Sequence, residues 1–404
     1  SSALKIRQIM LDLSAIRSHL YHFYWEVLPD FLNMGHCAEF NPKETWFYFG
    51  QFQKEEDVGD LDLETGVKIM KSFPEAAYTI DLLQKSIALF GGKFPIIMNQ
   101  IPGGVSNFKI SRNLIMKIIR NLESCKHFIE SIWAEDLKVF IQNIENPTEI
   151  LIRSSNYMSF GSLAMEQNRI KSSNYSEGVY INGKKEPVNE LRITETLANT
   201  FYLPIEKSNE RDLIPYNFKK PNAKTWIKGA RYNGESMITG SLSRMMITHL
   251  VGGNLEISDL VSQMIDDLEL SDEAPHCFAS RLLSEMVESR IYLKNIFTHL
   301  FDIGESSEIN RKTKFQFGNE GVGVGKVESP SGSLLHQVYI KDNRISAYVI
   351  VSPMNWNFSP EDEEGNKGIV ESELSKLAED QNITPIMVAR HLHSYNTLVL
   401  DGTR

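Results

Sequence analysis

Toward the C-terminus the sequence reads VARHLHSYNTLVLDGTR (388–404), which sets His391 and His393 beside Tyr395 and Asn396. Imidazole nitrogens are common transition-metal ligands. A His-x-His pair on a helix, however, points to two sides, and no cysteine is close by in sequence. His19 and His22 are better spaced: three apart on a helix, they share one face and could hold a metal. The surrounding SHLYHFYW is rich in aromatic rings, which favours buried histidines hydrogen-bonded inside a bundle. His36-Cys37 and His276-Cys277 are adjacent pairs, and regular structure turns adjacent side chains apart. The glycine-rich GNEGVGVGK (318–326) fails both nucleotide fingerprints. A phosphate loop needs glycine where Glu320 stands, and a dinucleotide loop needs it at Lys326. The segment reads as a strand entering a turn where backbones approach closely.

Elements must position these groups. Ile9, Leu13, Ile16, Leu20, Phe23, Val27 and Phe31 form one helical stripe. Residues 67–90 read as helix, restarted at Pro74 and stopped by Gly91-Gly92. A third helix over 112–145, marked by Ile115, Ile119, Leu122, Ile129, Ile132, Phe140 and Ile144, would be roughly 50 Å long. Residues 150–230 turn polar, with an Asn182-Gly183 hairpin signal. Helical spacing returns at 255–270 and 278–302. Two strands joined at Asp342-Asn343 span 333–351, a short helix covers 368–379, and Thr384 caps a last helix that begins at Pro385. The expected fold is mainly α with α+β parts: a long central helix bundle with peripheral β-hairpins. It divides into a helical bundle (1–150), a polar α/β insertion (151–230) and a completion of the bundle with a β-hairpin and C-terminal segment (231–404).

Composition narrows the partners. Lys and Arg total 42 against 52 Asp and Glu, so the chain of 404 residues carries −10 and repels phosphate backbones; nucleic acid is excluded. Three cysteines, Cys37, Cys125 and Cys277, are too few and of odd number for a disulfide framework, which fits a reducing, cytoplasmic compartment. No apolar run approaches the roughly 18 residues of a membrane span, and no secretory signal opens the chain.

Three glycine-containing stretches read as loops: IPGGVSN (101–107), GARYNGESMITGSLSRMM (229–246), and EGVGVGKVESPSGSLLHQVYI (320–340) followed by VSPMNWN (351–357). With the two-histidine helix and in this order, the set resembles the large subunit of nickel-iron hydrogenases over nearly the whole chain. The residues carrying the likeness are His19-x-x-His22-Phe23-Tyr24, Pro102-Gly103-Gly104-Val105, Arg231-Tyr232-x-Gly234, Gly240-x-Leu242-x-Arg244, Glu328-x-Pro330-x-Gly332-x-Leu334-x-His336 and Trp356-Asn357.

The resemblance implies a nickel-iron centre held by four cysteine thiolates in two Cys-x-x-Cys pairs, one near each end. Soft thiolates suit such metals. Aligned on Arg390, the second pair falls on Tyr395 and Leu398 and the terminal histidine on Asp401; the first pair would precede the helix with which the sequence starts. The arginine above the metals corresponds to Ser331, and the hydroxyl donor near the iron to Met354. These replacements lead to the expectation of a chain without a nickel-iron centre: a non-catalytic pseudoenzyme within an oxidoreductase complex. It would pair with a small subunit that carries the iron–sulfur clusters. Alternatives are a scaffold for nickel-iron cofactor assembly, or a quinone-like ligand in the vacated cavity. That cavity would be lined by His22, Arg231, Ser331, Met354 and Tyr395, with Leu398 filling space beside Tyr395.

Overall fold

The computed structural model describes residues 2–32, 61–101, 104–106, 110–149, 156–162, 175–204, 216–270, 275–303, 318–380 and 382–396. His36-Cys37, Pro102-Gly103 and Leu398 lie outside them.

The apolar stripe of the first segment becomes α1 (Ser2–Tyr21), continued by a π-helical turn over His22–Val27 and a 3₁₀ turn over Leu28–Phe31. Helices α2 (Leu63–Met70) and α3 (Phe73–Gly91) follow, the second closed by Gly92 at φ +85°. The third rod is α4 (Arg112–His127), a π-helical turn over Phe128–Trp133, and α5 (Ala134–Asn143). Helix α6 (Ser241–Val251) stands where a loop was expected. It starts directly after Gly240, whose φ of +118° is a conformation L-residues avoid. Helices α7 (Leu255–Asp267), α8 (Phe278–Asp302), α9 (Pro353–Asn357), α10 (Ile369–Leu377) and α11 (Pro385–His393) complete the set.

Packing is centred on α1, which lies against α8 and α3. Most of its side chains are buried, Asp12 and His19 among them, and His22 at the start of the π-helical turn is buried too. Tyr24 donates from its hydroxyl to Asp136 (2.7 Å), tying the π-helical turn to α5. One apolar core runs from Ala3 to Tyr395 and takes in Tyr157 and Tyr175 from the polar middle region. A smaller cluster around Met158, Tyr232 and Trp356 sits under the sheets.

The sheets are small and antiparallel: β1 (Gln100–Ile101) with β2 (Gly104–Val105), β3 (Tyr157–Phe160) with β4 (Glu177–Ile181) and β5 (Lys184–Glu186), and β6 (Ile193–Thr196) with β7 (Gly229–Tyr232). The last holds β8 (Gly321–Ser329), β9 (Gly332–Lys341) and β10 (Arg344–Val351) in the order β10-β9-β8. The hairpins turn at Asn182-Gly183 and Asp342-Asn343, all four residues at positive φ. The glycine-rich segment is the edge strand β8. A Cβ placed on Gly321, Gly323 or Gly325 would meet nothing within 4 Å. The expected strand is present; the close backbone approach expected with it is not found, because these glycines face open space.

Candidate functional site

The C-terminal segment folds back onto the start of the chain and onto α8 and α10. Tyr395 is buried. Its hydroxyl donates to Glu373 on α10, its ring lies 4.3 Å from the Arg281 guanidinium carbon, and Phe358, His276 and His391 stand edge-on around it. Glu373 also meets His391 Nε2 (2.7 Å), His276 Nδ1 (3.3 Å) and Arg281 Nη1 (3.6 Å). Arg281 donates to His276 Nε2 (3.3 Å) and to Ser394 Oγ (2.6 Å). Because His276 Nε2 accepts, its proton sits on Nδ1, facing Glu373. Burial lowers the His276 pKa, in keeping with that neutral tautomer. Burial alone would raise the Glu373 pKa; Arg281 and the bonds from His276 and His391 outweigh it and hold it well below the usual carboxylate range.

A second buried pair holds the same segment. His22 meets Glu285 through Nδ1 (2.8 Å) and donates from Nε2 to the His393 carbonyl (2.6 Å). A carbonyl only accepts, so Nε2 donates; the Glu285 carboxylate accepts from Nδ1, so both ring nitrogens are donors and His22 is an imidazolium. Burial works against the charge, but Glu285 prevails and raises the pKa to about 9. His393 Nδ1 pairs with Asp30 (2.7 Å), and Arg390 donates to the Asp30 carbonyl (3.0 Å). His391 and His393 therefore have separate carboxylate partners and form no joint metal site. His276-Cys277 also divides: His276 turns to Glu373, while the Cys277 sulfur caps the start of α8.

The third cluster surrounds Arg244. Its guanidinium donates to Glu288 from Nε (2.7 Å) and Nη2 (2.6 Å), to Glu328 (2.9 Å), and to the Ser329 and Pro330 carbonyls (2.9 and 3.2 Å). His19 joins through Ser241 (3.2 Å) and Ser289 (3.1 Å). Burial lowers its pKa, so it is neutral near pH 7.

Between these clusters lies a cavity of about 30 Å³, room for one or two water molecules. Ser331 and Tyr395 line it, with Glu285, Arg281, His276 and Asn396. The Ser331 hydroxyl and the Asn396 amide nitrogen are buried without a hydrogen-bond partner. The other expected lining residues are elsewhere. His22 stands one residue behind the wall, bonded to Glu285. Arg231 is 3% exposed and staples the loop after α9, donating to Ser359 and to the carbonyls of Pro360 (2.9 Å) and Asn366 (3.0 Å). Met354 is half-buried on α9 and Leu398 lies outside the described residues.

Sequence reasoning missed Glu285, Glu288, Arg281 and Glu373. A signal existed for two of them. Glu285 follows Leu282 by three and Glu288 precedes Tyr292 by four, so both fall on the apolar face of α8.

A helix bundle of this order with small antiparallel sheets packed on it is the fold of a hydrogenase large subunit. The chain belongs to the nickel-dependent hydrogenase family, whose model matches residues 59–398. It is 23% identical over 420 residues to the periplasmic [NiFeSe] hydrogenase large subunit of Desulfomicrobium baculatum, covering 96% of this chain and 76% of that protein. The uptake hydrogenase large subunit of Rhodobacter capsulatus is 31% identical over 189 residues, 44% of this chain and 31% of that protein. Among solved structures, the Ni-Fe-Se hydrogenase from D. vulgaris Hildenborough superposes with a TM-score of 0.81 at 22% identity, covering 98% of this chain and 81% of that one.

Membership corrects one expectation. The sequence reading foresaw no nickel-iron centre, yet the matched family is nickel-dependent. The inference rested on replaced positions at one end of a site built from both ends. Of those positions, Leu398 and Asp401 lie outside the described residues, so a replaced subset does not establish absence. The described residues do not by themselves compose such a site. No cysteine lines the cavity among them, its one carboxylate, Glu285, and its one imidazole, His276, are engaged by His22 and Glu373, and no three His, Cys, Asp or Glu side chains among them are grouped to hold a metal. No helix among them is long and apolar enough to cross a membrane.

Proposed function

We propose that this chain is a structural, large-subunit-type component of an electron-transfer complex, paired with an iron–sulfur small subunit, and that it does not itself turn over hydrogen. One observation carries the reading. The phenol of Tyr395 stands where the resemblance puts a closing ligand, and it is locked by Glu373, Arg281 and two imidazole edges rather than left open to a reacting group. The relatives' designation as large subunits supports a second subunit. A retained fold with a rigid polar interior suits a chain kept for its partner-binding surface, since stable interfaces need a large preorganised face. Free, buried Cys125 and Cys277 accord with a reducing, cytoplasmic setting.

A quinone-like occupant is not favoured, because the cavity is about 30 Å³ and ligands of that kind occupy roughly 300 Å³ or more. The test is co-purification from the native cell at near-physiological salt. The expected result is a stoichiometric complex whose visible and paramagnetic resonance spectra show iron–sulfur clusters. Recovery of the chain alone, colourless and monomeric, contradicts the reading. Iron–cyanide infrared bands on the isolated chain would favour the cofactor-assembly role instead.

A further inference from the structure

We infer that a monovalent cation such as sodium binds in a second small cavity between α1, the end of β3 and β8. That cavity measures about 20 Å³, and Gln8, Asp12, Tyr175, Arg244 and Glu328 border it. Three of its oxygen atoms are buried with no hydrogen-bond partner: Asp12 Oδ2, Gln8 Oε1 and the Tyr175 hydroxyl. Asp12 is 1% exposed, and its other oxygen accepts from Gln8 Nε2 (2.6 Å). Protein interiors leave few such atoms unsatisfied, and a carboxylate oxygen without a partner is among the costliest. Three bare oxygens around one water-sized void therefore imply an occupant that accepts electron pairs.

The charge inventory selects the kind of occupant. Glu288 and Glu328 set two acidic side chains against the one guanidinium of Arg244, and Asp12 adds a third carboxyl group with no cationic partner among the described residues. His19 is neutral, as argued above. Burial pushes the Glu328 pKa up, against Arg244, Ser333 and the Phe160 amide, which all donate to its oxygens. Arg244 borders the cavity without repelling a guest strongly. Its N–H groups are all engaged, and two carboxylates already oppose its charge. The donors are oxygens alone, which disfavours a soft transition metal. With a single uncommitted carboxylate and no room for the waters a magnesium ion keeps, a divalent ion fits poorly. Burial and the nearby Glu288 push the Asp12 carboxyl well above its ordinary range, despite the Gln8 bond. A proton on Asp12 is thus the rival to the cation.

A thallium(I) soak of crystals of the unaltered protein, read by anomalous scattering, decides between them. A peak in the cavity beside Asp12 is expected; a cavity holding water alone overturns the inference. In solution, the melting temperature in sodium chloride should exceed that in choline chloride of equal ionic strength by about 2 °C or more. Asp12→Asn should abolish the difference. A sodium dependence that survives Asp12→Asn overturns the assignment, because the ion then sits elsewhere. Should that variant not fold, the thallium result stands alone.

Discussion

Two buried carboxylates organise this molecule in opposite ways. Glu288 sits amid the core, gripped by a guanidinium and flanked by Tyr292, Ser241 and His19. Its partners come from α1, α6 and α8, each buried along most of its length. Glu373 instead holds a segment with little apolar burial: on α11 only His391 is buried. The first cluster joins elements that packing would bring together anyway. The second replaces packing with ion pairs, hydrogen bonds and two cation–π contacts, Arg281 on Tyr395 and Arg390 on Phe31. The C-terminal segment is thus a polar clasp, and its stability should follow charge and pH more closely than that of the bundle.

The largest effect expected from breaking this contrast is at Arg244. Arg244→Leu leaves Glu288 and Glu328 buried without their cation and should cost about 3–5 kcal/mol. Chemical denaturation of the whole protein reads it as a global loss. Glu373→Gln removes the anion from Arg281, His276 and His391 and should cost about 3 kcal/mol, but locally. Hydrogen exchange should rise over 385–396 while α1 and α8 stay protected; uniform loss of protection would erase the distinction between the two clusters.

The pH dependence follows from two shifts of opposite kind. His22 titrates near 9 when folded against 6.5 when exposed. Its contribution, about 3 kcal/mol, is complete below pH 6.5 and is lost as pH rises through 9. The Glu373 pKa is depressed, so its contribution is present above about pH 4.5 and is lost as pH falls. Stability should therefore peak between about pH 5 and 6.5, and His22→Gln should flatten the alkaline limb of the curve. A peak above pH 8 in the unaltered protein would refute the imidazolium assignment. The smallest effect is at Tyr395→Phe. This keeps the ring under Arg281 and removes the hydroxyl from Glu373, for about 1–2 kcal/mol. A loss as large as that of Glu373→Gln would mean that the phenol, not the carboxylate, organises the clasp.

What could be read in advance followed local physics. Apolar spacing located α1, α8 and the long rod over 112–145. Asn182-Gly183 and Asp342-Asn343 marked turns that need positive φ, and Thr384-Pro385 marked the start of α11. Helix α6 was hidden because Gly240, Ser241 and Ser243 look like loop residues. Gly240 supplies the special φ, and Ser243 donates to the Met158 and Ile238 carbonyls. The clusters at Glu288 and Glu373 were hidden because a single charged residue in a helix normally lies on its solvated face. Apart from Tyr292, four residues from Glu288 on the same helix, their partners come from 18 to more than 260 residues away, a distance no local pattern encodes. Motif order located Tyr395 and Ser331 near each other, but it could not tell that Arg231 serves a loop across the molecule.

The central claim is that the interior is retained as architecture and not as a hydrogen-splitting site. Deuterium–proton exchange tests it most directly, measured by membrane-inlet mass spectrometry on the native complex after reductive activation. Exchange no faster than in a protein-free control, from a sample whose iron–sulfur signals are intact, is the expected result. Sustained formation of HD that scales with the amount of this chain would contradict the account.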